Sequence, residues 1–273
     1  MEKKGVRLCL VGCDSRGRLD YQKLKDVIFE KRPPKMVICT HASNVTGNLV
    51  DIRRIGRRCR KQGVLFCVDA SQTAGRFSVD MERDCIDILC FTGHKSLLGP
   101  QGTGGICLGQ GFRPEPLAVG GSGSESFSPT HPTVMPDALE AGTQNAHGIA
   151  GLLAGVEYIK NLGGKAFSVA AGHAGRFIKE MKDVEGVTLY GDVGAALRTP
   201  VVALNVRGRD SGDIAALLWD DYGIAVRAGA HCAPLMHKTL GTEKIGAVRF
   251  SFSHFNTDEE VDAAIAAVKE LAK

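Results

Sequence analysis

Two short stretches place chemically matched groups at what read as the carboxyl ends of buried strands: Val68-Asp69-Ala70-Ser71-Gln72 and Phe91-Thr92-Gly93-His94-Lys95. Together they offer a carboxylate, an amide, a hydroxyl, an imidazole and an amine. That set meets the needs of pyridoxal phosphate: a lysine for the Schiff base, an acid to pair with the pyridinium nitrogen, and donors for the phenolic oxygen and phosphate. Taken singly, Asp69 suits a helix N-cap or turn equally well, and a lone lysine is most often a solvated surface residue. Lys95, however, sits between an apolar strand and the turn Pro100-Gln101-Gly102-Thr103-Gly104-Gly105. A partly desolvated, cationic setting of that kind lowers a lysine pKa and yields a neutral amine nucleophile.

These groups need a scaffold that brings distant strand ends together. Apolar runs at 6–11, 36–39, 64–68, 86–91 and 105–108 read as strands, and the amphipathic stretches 21–31 and 49–62 read as helices between them. Continuous apolar strands alternating with helices imply a mostly parallel sheet covered on both faces, whose ligand crevice lies outside the carboxyl ends of the strands. Residues 109–136, rich in Gly, Ser and Pro, read as a long functional loop, a site wall or dimer contact. Helical stretches at about 142–162 and 165–184 bridge into a second pattern. There, strands at 187–189, 201–206, 225–227 and 248–252 and helices at 211–222 and 258–271 predict a smaller α+β unit. Thr257 with Glu260 three residues on forms a capping-box start for the last helix. The expected division is 1–160 and 161–273.

Composition narrows the class. The 273 residues carry 34 Lys and Arg against 30 Asp and Glu, a net +4 that does not by itself argue for nucleic acid. The run Arg53, Arg54, Arg57, Arg58, Arg60 and Lys61 fits the solvated side of an amphipathic helix. Nine cysteines, without a CxxC pair or zinc-finger spacing, point to a reduced cytoplasmic compartment, and no apolar run is long enough to span a bilayer. The histidines do not pair at metal-ligand spacing, so no metal is expected. A cysteine is most often a small buried apolar residue, which is the expectation for eight of the nine. Cys232 differs because Arg227 and His231 stand close in sequence, and nearby positive charge favours the thiolate.

The chain resembles the class V aminotransferase family of pyridoxal phosphate fold type I, in particular the cysteine desulfurases and selenocysteine lyases. The matching stretches, in the family's order, are His41-Ala42-Ser43-Asn44-Val45-Thr46-Gly47, Val68-Asp69-Ala70-Ser71-Gln72 and Thr92-Gly93-His94-Lys95. They continue with Glu140-Ala141-Gly142-Thr143-Gln144-Asn145, Tyr222-Gly223-Ile224-Ala225-Val226-Arg227, His231-Cys232-Ala233-Pro234 and Val248-Arg249-Phe250-Ser251. The resemblance implies an α/β, three-layer large domain that lacks the family's amino-terminal part, including its ring-stacking residue, plus a smaller α+β carboxyl-terminal domain. It implies Lys95 as the Schiff-base lysine, Asp69 as the pyridinium partner, Gln72 at the phenolic oxygen, and Thr92 and His94 at the phosphate. Thr143 would reach the phosphate of a neighbouring subunit in a homodimer with shared sites. Asn44 and Arg249 would bind the substrate carboxylate, the latter through its planar fork. Cys232 would take sulfur from the substrate as a persulfide.

The function so implied is conversion of L-cysteine to L-alanine with transfer of sulfur, onward acceptance by another protein being open. Selenocysteine lyase, cysteine sulfinate cleavage and ordinary transamination need Lys95 and Asp69 but not Cys232, and stay open as alternatives. So does a non-catalytic, shortened interaction protein.

Overall fold

The computed structural model describes residues 5–125 and 127–273. Two sheets, each with its own apolar core, make up the molecule. The first has the order β1-β2-β3-β4, formed by Met36–Thr40, Leu65–Asp69, Ile88–Thr92 and Gly104–Leu108. β1, β2 and β3 run parallel, and β4 turns back antiparallel on β3.

Helices α1 (Tyr21–Ile28) and α2 (Ile52–Gln62) cover one face of this sheet. Leu24 and Ile28 of α1 and Ile52, Ile55 and Cys59 of α2 pack on Val37, Phe66 and Val68. Each helix begins where a carboxylate caps it: Asp20 accepts from the Lys23 N–H at 2.8 Å, and Asp51 from the Arg54 N–H at 2.9 Å. α2 ends at Gly63, whose φ of 64° is the left-handed C-cap that glycine adopts without a Cβ penalty. Arg53, Arg57 and Arg60 are exposed, as the amphipathic pattern predicts, while Arg58 donates to the Tyr21 carbonyl and Arg54 lies over the Tyr21 ring.

The second sheet, β5-β6-β7 (Val187–Tyr190, Val201–Val206 and Val248–Ser251), is antiparallel throughout. Helices α4 (Lys165–Met181), α5 (Ser211–Asp220) and α7 (Asp258–Leu271) enclose it, burying Phe177, Met181, Ile214, Leu218 and Val268 against Val202, Leu204 and Phe250. The predicted capping box at Thr257 is formed on both sides. α3 (Ala146–Leu162) instead packs on the first unit, its Leu152 beside Gly93 and Gly99.

Two expectations are corrected, and one element is added. Residues 6–11 form no strand; Val6, Leu8 and Leu10 are exposed, and an apolar run without a ladder partner cannot remain a strand. Residues 225–227 reduce to one bridge, Arg227 with Arg249, because the left-handed glycines Gly223 and Gly229 bound the segment and turn it off the sheet. A helix that the pattern does not announce, α6 (Pro234–Leu240), follows Cys232, with proline in its first turn and Gly241 as left-handed cap.

Candidate active site

Asp69 is the last residue of β2 and Thr92 the last of β3, so parallel pairing brings both strand ends to one edge of the sheet. Asp69 Oδ1 accepts the Ser71 N–H at 2.8 Å, leaving the second carboxylate oxygen for another donor. Thr92 Oγ1 and His94 Nδ1 lie 2.7 Å apart, joined by a hydrogen bond across the turn. Lys95 follows directly. Burial lowers its pKa, an effect opposed by the nearby Asp69 carboxylate, reinforced by Arg249, opposed by Cys232 and reinforced by Arg227. All four groups therefore lie within electrostatic reach of the amine.

The second unit supplies the rest. Arg249 is on β7 and bridges to Arg227, and the two guanidinium groups share this region with no carboxylate bonded to either among the described residues. Burial lowers the Arg249 pKa, the neighbouring Arg227 charge adds to this, and Cys232 opposes it. Its Nε is buried without a hydrogen-bond partner. Arg227 Nη2 donates to Cys232 Sγ at 3.7 Å. Cys232 is exposed. Such a setting favours a carboxylate at the arginine pair.

Asn44, on the turn after β1, ties the units together. Its Nδ2 donates to the His231 carbonyl at 2.6 Å, and its own carbonyl accepts from Arg249 Nη1 at 3.1 Å. His231 is buried, with Nε2 bonded to the Ala247 carbonyl at 2.9 Å. Burial, against the partly compensating Ala247 bond, pushes its pKa down to about 4, so the ring is neutral and donates to that carbonyl.

The structure thus brings together Asn44, Asp69, Thr92, His94, Lys95, Arg249 and Cys232. Gln72 is half-buried just beyond β2, and Thr143 is exposed ahead of α3; among the described residues neither is hydrogen-bonded to the cluster. The expectation that the other eight cysteines are buried is corrected. Only Cys59 and Cys85 are, while Cys9 and Cys107 are exposed, the latter because β4 is an edge strand. Two features escaped the sequence reading. The Asn44 to His231 anchor joins residues 187 apart, a separation that local pattern does not report. Cys67 and Cys90 on neighbouring strands interact directly, and burial with Cys90 and Asp69 nearby pushes the Cys67 thiol up to about 11. Their register on β2 and β3 is the one available signal for that pair.

A family model described as aminotransferase class-V matches residues 1–264. The chain belongs to that family. It is 33% identical over 279 residues to a probable cysteine desulfurase of Pyrococcus abyssi, covering all of this chain and 67% of the relative. A probable cysteine desulfurase of Methanothermobacter thermautotrophicus is 31% identical over 281 residues, with 68% of its length covered. Among solved structures, the apo cysteine desulfurase of Thermococcus onnurineus superimposes with a TM-score of 0.89 at 33% identity, over 99% of this chain and 67% of that one. A cysteine desulfurase of Escherichia coli in an S-sulfonic acid form gives 0.81 at 28% identity, over 95% of this chain and 64% of that one. The chain thus spans about two thirds of the length of these relatives, and its fold is the α/β fold of these pyridoxal phosphate-dependent enzymes.

The residues present fit that cofactor. A carboxylate with one free oxygen stands at the end of β2, a hydroxyl and imidazole pair at the end of β3, and an amine of lowered pKa directly after it. The orphaned Arg249 Nε marks a place for an anionic partner beside them.

Proposed function

We propose that this chain is a pyridoxal phosphate-dependent cysteine desulfurase that takes sulfur from L-cysteine onto Cys232 and leaves L-alanine. One observation carries the reading: a lysine of lowered pKa, a strand-end carboxylate, two guanidinium groups and an exposed thiol meet where the two units join. Asp69 would hold the pyridinium nitrogen, Thr92 and His94 the phosphate, and Gln72 the phenolic oxygen; Lys95 would carry the cofactor. When bound, pyridoxal phosphate supplies an electron sink for the substrate α-carbon.

The chain's own residues do the rest. Asn44 and Arg249 hold the substrate carboxylate, the guanidinium through two parallel N–H donors. Burial keeps the Lys95 amine readier to lose its proton than a free lysine, which suits it to remove the substrate α proton. Arg227, bonded to Cys232 Sγ, holds the thiol beside the arginine pair. Cys232 then attacks the substrate sulfur: a sulfur–sulfur bond forms and the substrate's carbon–sulfur bond breaks. The electron pair of the broken bond stays with the carbon skeleton, which is protonated and leaves as alanine, and the sulfur remains on Cys232 as a persulfide.

The reading extends to a homodimer in which Thr143 reaches the neighbouring site, and to a protein that accepts the sulfur. The exposed Ile149 and Leu153 on α3, the helix that follows Thr143, support the first. Nine free cysteines support a cytoplasmic setting, and no helix among the described residues is long and apolar enough to cross a membrane. Sulfide release from L-cysteine by the purified, cofactor-loaded chain tests the assignment. Loss of release in Cys232→Ala supports it. Equal release from both proteins removes Cys232 from the mechanism, and amino transfer to keto acids without sulfide makes the chain a transaminase.

A further inference from the structure

Two adjacent residues other than glycine, His231 and Cys232, adopt left-handed backbone conformations, with φ of 51° and 58°. A side chain with a Cβ disfavours that region, so successive residues hold it only where their surroundings fix them. Those surroundings are on view. The His231 ring is buried and bonded to Ala247, and the Ala233 N–H closes the turn on the Ala230 carbonyl at 2.9 Å. Ahead of the turn, the Gly229 N–H donates to Ser211 Oγ at 3.1 Å. All of these restraints come from the second unit. Among the described residues, the peptide between His231 and Cys232 has a single side-chain tether from the first: Asn44 Nδ2 to the His231 carbonyl, at 2.6 Å.

We infer that Asn44 is a positioning residue for Cys232, holding the strained thiol-bearing turn of the second unit against the strand ends of the first that carry Asp69 and Lys95. This deepens, and rests on, the desulfurase reading above. The amide has two N–H donors. One is used on the His231 carbonyl, and the other remains for the substrate carboxylate, so a single side chain sets the distance between the carboxylate and the thiol. The bond from Arg249 Nη1 to the Asn44 carbonyl fixes the backbone from which that side chain extends. Replacing Asn44 therefore does more than weaken substrate binding: it releases the Cys232 turn even with no substrate present.

The test is the alkylation rate of each cysteine by iodoacetamide, resolved by peptide mass spectrometry on the full chain without substrate. In Asn44→Ala, loss of one hydrogen bond to the strained turn is expected to raise the Cys232 rate about fivefold. Exposed Cys9 serves as the reference and is expected to keep its rate; buried Cys59 reports folding and is expected to stay unreactive. Should Cys59 react in Asn44→Ala, Asn44→Asp decides, since a carboxylate cannot donate to the His231 carbonyl yet keeps the shape of the side chain. A Cys232 rate equal to wild type in a folded variant overturns the inference. With the cofactor-loaded protein, kcat for L-cysteine is expected to fall along with a rise in KM, whereas a residue that only binds the carboxylate raises KM alone. Failure of the wild type to release sulfide removes the desulfurase reading and leaves the thiol result standing. Intact sulfide release with unchanged thiol reactivity removes only the positioning role.

Discussion

β6 and β1 show how differently the two halves of the chain use a strand. All six residues of β6 are buried, since Val202, Leu204 and Val206 face α4, α5 and α7 while Ala203 packs with Val45 and Ala247 on the other side. In β1 only Val37 is fully buried; Met36 and Ile38 lie open on the face away from α1 and α2. Ile106 of β4 is open on that same face, as the register of the sheet requires. The strand buried on both sides is the centre of the second sheet, covered by its own helices on one face and in part by Val45 of the first unit on the other. The half-covered sheet is the one whose open face carries Asp69 and Thr92. Each half thus has its own core and supplies part of the site, the strand ends of the first meeting Arg227, Cys232 and Arg249 of the second through the contacts of Asn44 and Arg249.

The contrast can be broken from either side. The largest effect is expected for Lys95→Ala, which lowers sulfide release by about a thousandfold or more and abolishes the cofactor's visible absorbance, with little change in the denaturation midpoint. A large stability loss would show that Lys95 supports the fold instead. Leu204→Ala on β6 is expected to cost about 2–5 kcal/mol in chemical denaturation, because the enclosing helices relax only partly into the space left. A loss under about 1 kcal/mol would mean that the second core is not close-packed.

Acid provides the next test. The His231 pKa is about 4 in the fold, below the value of about 6.5 of a free histidine, so the unfolded chain binds the proton first. Stability contributed by the neutral ring is therefore complete above about pH 6.5 and declines as the pH falls towards 4, by at most about 3 kcal/mol. Denaturation midpoints across that range, compared with His231→Gln, check it: the variant should show the shallower slope. Thr257→Ala removes the cap of α7 and is expected to cost about 1 kcal/mol, read as a lower midpoint. The smallest effect is expected for Ile38→Ser, within about 0.5 kcal/mol for the isolated protein. A clearly larger loss would show that the open face is covered in solution.

Much of the fold was legible because it is locally encoded. Leu24, Val27 and Ile28 recur at helical spacing and are buried as that spacing requires. Asp69 and Lys95 ended at one edge of the sheet because parallel strands linked by crossovers leave their carboxyl ends together. What misled was also local. Residues 6–11 carry the pattern of a buried strand, but pattern does not state whether a neighbour exists to pair with it. The short helix α6 was hidden because seven residues offer too few turns for a period to show.

The sequence by itself determined which groups stand at the ends of β2 and β3, where the last helix starts, and that a thiol follows a histidine shortly after an arginine. Those properties depend on residue type and on neighbours a few positions away. Only the tertiary structure decided that Asn44 reaches His231, that Arg227 and Arg249 flank Cys232, and that His231 and Cys232 hold a left-handed turn. Such contacts join residues as much as 205 positions apart, as from Arg249 to Asn44. Their geometry follows from how two separately formed cores pack on one another, a relation that no local run of residues encodes.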